Sequence, residues 1–191
     1  MNVPSPSTAY VDESMVLSHG RYLLVAMLVT SDQADAQRDV LRSLLERGQR
    51  RLHWHDENDK RRAHLIEVVA GLRPKGVMVV GMNLNPKKQE RARRKCMGHL
   101  LWKLRDFGIS DMLIERRQGD LDRLDREMIA AMRGCNAMPP GLRPDWCDPE
   151  SEPLLWLPDI VAGARALAER GSDSFWQQVG RGMRILAVDT R

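Results

Sequence analysis

Two uninterrupted apolar runs constrain this chain most: YLLVAMLVT at residues 22–30 and GVMVVGM at residues 76–82. A strand with one wet face alternates apolar and polar residues, and these runs do not, so they predict strands buried on both faces. Around them the chain alternates helical and extended patterns. Helical spacing covers residues 34–47, with Val40, Leu41, Leu44 and Leu45 in one stripe, Ser31 and Asp32 as N-caps and Gly48 as the stop. It recurs over 58–72, ended by Pro74, and over 86–106, where Pro86 opens the helix, Met97, Leu100, Leu101 and Leu104 face inward and Gly108 closes it. Further helices are predicted over 120–132 and 154–170, and shorter strands over 9–11, 52–55 and 111–115, with an edge strand at 184–188. Residues 139–153 read as one long irregular stretch. The expectation is an α/β fold, a mixed sheet with helices on both faces, formed by one domain over residues 1–191.

The bulk properties narrow the function classes. With 42% hydrophobic and 29% charged residues the chain is globular rather than disordered. The net charge of +4 suits an anionic partner such as nucleic acid, although many solvated proteins share it. Three cysteines, Cys96, Cys135 and Cys147, show no paired spacing, which argues against a disulfide framework or a zinc knuckle. No apolar signal core stands at the N-terminus and no run is long enough for a bilayer, so a cytoplasmic protein without a membrane partner is expected. Neither GxxxxGK[ST] nor GxGxxG occurs, so nucleotide binding is not indicated.

The candidate chemistry lies in carboxylates. Asp12 follows the first strand in Tyr10-Val11-Asp12-Glu13-Ser14, where it is either a functional acid or a turn residue. Glu13 is either a second ligand after a bulge or an exposed residue. Asp159 stands among Leu154, Leu155, Leu157, Ile160, Val161 and Ala164, where a carboxylate needs a partner: a metal, an arginine or a helix-end amide. Glu115 closes the strand Met112-Leu113-Ile114 before Arg116 and Arg117, as a third ligand or an arginine's salt-bridge partner. His53 and His55 share a face if residues 52–55 are extended; without a third zinc-type ligand, an active-site rim is the better reading, with His55 or Asp56 touching substrate or moving a proton. Lys87, Lys88, Arg91, Arg94 and Lys95 form a basic helical face that either grips phosphates or is simply solvated. Trp54 and Trp146 stand in polar surroundings and could stack on bases. Asp145, Asp148 and Glu150 put further acids in the stretch before the Asp159 helix.

Two of these segments carry a family resemblance. Tyr10-Val11-Asp12-Glu13-Ser14 resembles the Y-[IVL]-D-E-S-G opening of domain-of-unknown-function family 3800, and Leu157-Pro158-Asp159-Ile160-Val161-Ala162-Gly163-Ala164 resembles its late L-A-D-[LI]-[IV]-A-G-A motif. Met15 replaces the usual Gly and Pro158 the usual Ala, and neither change removes a carboxylate. The resemblance implies a ribonuclease H-like fold and carries over Asp12 and Asp159, with Glu115 by position. The expected function is a metal-dependent nuclease or related phosphoryl-transfer enzyme acting on DNA or RNA. In that reading Asp12, Glu115 and Asp159, with Glu13 as a further candidate, hold Mg²⁺ or Mn²⁺, His55 assists proton transfer and the basic helix grips the backbone. The rivals are a non-catalytic nucleic-acid-binding module and a protein-interaction module, such as one in a mobile element or defence cassette. The oligomeric state is open.

Overall fold

The computed structural model describes residues 7–117 and 119–191. The first strand, β1 (Ser7–Val16), turns through a 3-10 segment (Leu17–His19) into β2 (Arg21–Thr30). Gly20 closes that turn with φ of 58°, a left-handed conformation that disfavours side chains with a Cβ. Then come α1 (Ser31–Ser43), α2 (Asp59–Gly71), β3 (Gly76–Met82), α3 (Gln89–Asp106), β4 (Asp111–Glu115), α4 (Leu121–Gly134), β5 (Arg143–Cys147), α5 (Trp156–Glu169), α6 (Ser174–Val179) and β6 (Met183–Asp189). The strands form one sheet in the order β5-β4-β1-β2-β3-β6. The β1–β2 hairpin is antiparallel, as is the β2–β3 pair, which α1 and α2 connect, while β4 joins β1, β5 joins β4 and β6 joins β3 in parallel. The fold is thus α/β with a mixed sheet.

Strand alternation divides the interior in two. Tyr10, Leu23, Val25, Met78 and Val80 face α1, α2, α5 and α6. Ala9, Val11, Tyr22, Leu24, Val77, Val79, Met112 and Ile114 face α3 and α4. The apolar runs are therefore buried twice over, as a sheet sandwiched between helices requires. No helix among the described residues is long and apolar enough to cross a membrane.

Several sequence expectations need correction. The first strand extends to Val16, so Met15 lies in a strand and not in a turn. Helix α1 begins at Ser31 itself, with Thr30 as its N-cap, and stops at Ser43. Residues 52–55 form no strand; His53 leads into a 3-10 turn at Trp54–Asp56. The stretch 139–153 contains β5, and α6 forms a helix not anticipated from the sequence. Strand β5 escaped notice because RPDWC lacks alternation and carries Pro144, which only a sheet edge tolerates.

Candidate active site

Strand register explains how two acids meet. Val11 on β1 is partnered with Ile114 on β4, so the next pair along is Asp12 beside Glu115. Adjacent strands are about 4.8 Å apart. Both side chains share the parity of Tyr10 and Leu113 and so point to the α5 side of the sheet. Helix α5 packs across β1 and β2 on that side and brings Asp159 in its first turn. Asp12, Glu115 and Asp159, distant in sequence, thus converge at the end of β4.

Their electrostatics reflect that convergence. Burial, then the charges of Glu115 and Asp159, push Asp12 well above the usual carboxylate range. Burial and Asp159 push Glu115 up to about 7, against an opposing pull from Arg51. Burial raises Asp159 too, partly offset by a hydrogen bond from the Trp54 backbone and by the charges of His53, His55 and Arg51. Arg51 Nη1 donates to Glu115 Oε1 at 3.1 Å, and the Trp54 N–H donates to Asp159 Oδ2 at 2.7 Å. Among the described residues, no donor reaches the Asp12 carboxylate. Nor do any three His, Cys, Asp or Glu side chains among them already share metal-ligating distance.

The turn holding Trp54 is clamped to α5 twice. One clamp is the Asp159 bond. The other is Gly163, one helical turn on, where an added Cβ would lie 2.3 Å from the Trp54 indole. Arg62 completes the seat, its guanidinium 5.3 Å from the ring centre and its Nε donating to the Trp54 carbonyl at 3.1 Å. Trp54 is therefore buried and not a stacking platform. His53 is half-buried and bonded to Asp56 Oδ2 at 3.1 Å, while His55 is exposed at the same turn. Trp146 is half-buried, its indole N–H 3.4 Å from Asp125 Oδ2.

Glu13 is turned away from the cluster. It points to the α3 side, where it pairs with Arg93 and lies 3.7 Å from Arg117. Those arginines close on Asp125: Arg93 binds it through two bonds of 2.7 Å, and Arg117 Nη2 adds a third at 2.8 Å. Strand alternation sets Glu13 and Asp12 on opposite sides of the sheet, and no bulge interrupts the pairing of Glu13 with Leu24, while both residues border one cleft at the strand ends.

The basic stripe also lies on the α3 side. Lys87 and Lys88 belong to a 3-10 turn before the helix, so the five cations do not share one helical face. Arg91 Nη2 donates to the Arg191 carbonyl at 2.8 Å and Lys95 Nζ to the Asp189 carbonyl at 3.2 Å, tying down the end of β6. Lys87, Lys88 and Arg94 are exposed.

Other arginines do border the acids. A cleft of about 210 Å³ at the end of β4 is lined by Asp12, Arg51, Arg93, Glu115, Arg116 and Arg117. A second, of about 300 Å³, shares Arg51, Arg116 and Arg117 and runs on to Asp148, Pro149 and Glu150. Sequence reading missed Arg51, whose only signal was its place in the Arg50-Arg51-Leu52-His53 run. Asp148 and Glu150 rim the second cleft, Glu150 facing Arg50 at 3.3 Å, whereas Asp145 is exposed on β5. The cleft of about 270 Å³ along β2 and α1, lined by Met27, Val29, Gln33 and Leu157 among others, shares no residue with the acid cluster.

No family model matches the chain, and no curated protein matches it.

Proposed function

We propose that this chain is a divalent-metal-dependent nuclease or related phosphoryl-transfer enzyme on a ribonuclease H-like fold. The observation that carries the reading is the meeting of Asp12, Glu115 and Asp159 on one side of the sheet, with no donor among the described residues reaching Asp12. Three half-buried acids with raised pKa values destabilise a fold unless something cationic joins them. Their donor set is all oxygen, which suits Mg²⁺ or Mn²⁺. The strand order β3-β2-β1-β4-β5, antiparallel from β3 to β1 and parallel from β1 through β4 to β5, supports the ribonuclease H-like assignment. So do the two motifs resembling family 3800, both of which supply cluster residues.

In this reading Asp12, Glu115 and Asp159 would hold the cation. It would supply Lewis-acid chemistry, lowering the pKa of a water and neutralising charge on the phosphodiester. The Trp54 N–H fixes the orientation of Asp159, and the Trp54–Gly163 contact fixes the turn that delivers this N–H. His55, exposed beside Asp159, is placed to exchange a proton with solvent. Arg116 and Arg117 border the cleft in which the phosphates would lie.

A second reading also has support. The Asp159–Trp54 bond and the lack of preassembled ligand distances among the described residues fit a module that binds nucleic acid or protein without cutting. Cleavage separates the two. Labelled DNA and RNA oligonucleotides incubated with Mn²⁺ should be cut by the parent and not by Asp12→Asn or Asp159→Asn. Cutting that persists in both variants, or that ignores EDTA, sinks the nuclease reading.

A further inference from the structure

One cation already reaches the acid cluster. The Arg51 guanidinium bonds Glu115 at 3.1 Å, and its charge also acts, more weakly, on Asp12 and Asp159. It comes from the segment between α1 and α2, is 36% exposed, and among the described residues makes no other side-chain bond. It also lines both clefts, together with Arg116 and Arg117. A guanidinium is weakly hydrated and forks onto carboxylate and phosphate equally well, so either partner can satisfy it. A divalent cation bound by Glu115 would meet this guanidinium at the same oxygen, and like charges repel.

We propose that Arg51 is a tethered stand-in cation: it holds Glu115 while the site lacks metal, and when a divalent cation takes that carboxylate it swings into the adjoining cleft and grips a backbone phosphate of the nucleic-acid substrate. The inference rests on the metal-dependent reading above and adds an order to it, metal first and nucleic acid second. Arg116 and Arg117 are less free to play this part. Arg116 pairs with Asp122 at 3.4 Å, and Arg117 is held by Glu90 and Asp125. By linkage, metal and nucleic acid then strengthen each other's binding through one side chain.

The test uses the full chain, Mn²⁺ followed by electron paramagnetic resonance, and a fluorescein-labelled single-stranded phosphorothioate oligonucleotide followed by anisotropy. Arg51→Ala should bind Mn²⁺ about fivefold more tightly than the parent, the scale of one partly buried ion pair. With Mn²⁺ present, the same variant should bind the oligonucleotide about tenfold more weakly, its salt slope reduced by about one. Without metal, the substitution should leave oligonucleotide affinity unchanged. Arg51→Lys, which keeps the charge and loses the fork, should match the parent on Mn²⁺ and fall a few fold on the oligonucleotide. Equal Mn²⁺ affinity in Arg51→Ala and parent overturns the stand-in role while leaving the nuclease reading intact. An equal loss of oligonucleotide affinity with and without Mn²⁺ overturns the exchange. No bound Mn²⁺ in either protein overturns the metal reading, and this inference with it.

Discussion

Asp12 and Glu13 are neighbours in sequence and opposites in circumstance. Glu13 faces α3, where Arg93, Arg117 and Asp125 form a closed network in which the guanidiniums match the carboxylates. There the arginines outweigh burial and hold the Asp125 carboxyl below its usual range. Asp12 faces α5, where its neighbours are two more carboxylates and its own carboxyl is pushed up. One side of the sheet spends its buried charge on structure, while the other sets three carboxylates around a single bonded guanidinium, that of Arg51. Buried charge is tolerated when paired, so an under-matched cluster within one residue of a matched one points to a use other than stability.

The sharpest way to break the contrast is to attack the matched side. Asp125→Ala leaves Arg93, which is 1% exposed, with Glu13 as its remaining carboxylate, and should cost up to about 3–5 kcal/mol in urea denaturation. A loss below about 1 kcal/mol would mean that the network is not the structural half of the pair.

Gly163→Ala should cost about 1–3 kcal/mol, since its Cβ meets the Trp54 ring at 2.3 Å. Because the backbone N–H of that same residue is bound to Asp159, Mn²⁺ affinity should fall as well. Unchanged metal binding in a destabilised variant would separate the Trp54 turn from the site.

On the under-matched side the sign reverses. Asp12→Asn should stabilise the metal-free protein at pH 8 by about 1–2 kcal/mol, since it removes a carboxyl that burial and two neighbouring acids make harder to ionise in the fold than in the unfolded chain. A carboxyl raised in the fold is bound to its proton more tightly in the native state than in the unfolded one. Its penalty is therefore absent near pH 4 and grows as the pH climbs through the folded value. Glu115, raised to about 7, imposes the same trend, so the gain from Asp12→Asn should shrink to nothing as the pH falls from 8 to 4. Thermal melts at the two pH values check this. A variant less stable than the parent at pH 8 would place Asp12 in a stabilising role.

The smallest effect is expected from the exposed lysines. Lys87→Glu with Lys88→Glu should lower oligonucleotide affinity less than Arg51→Ala does in Mn²⁺, because the lysines lie on the α3 side. A larger loss would return the basic stripe to the binding surface.

By itself, the sequence determined the layered architecture. Local patterning suffices for that: a strand buried on both faces has to be apolar throughout, as 22–30 and 76–82 are, and α3 shows its inward Met97, Leu100, Leu101 and Leu104. It also marked Asp12, Glu115 and Asp159, because acids that interrupt apolar segments stand out without knowledge of their partners. Partners are another matter. That Arg51 reaches Glu115, that Arg93 closes on Asp125 and that Trp54 lies against Gly163 depend on segments far apart in the chain. Edge strand β5 stayed hidden because one-sided pairing imposes little patterning on its five residues. Tertiary structure alone decided which side of the sheet each acid serves: a carboxylate's pairing is set by what packs against it in space, and adjacent residues on a strand look out on different surroundings.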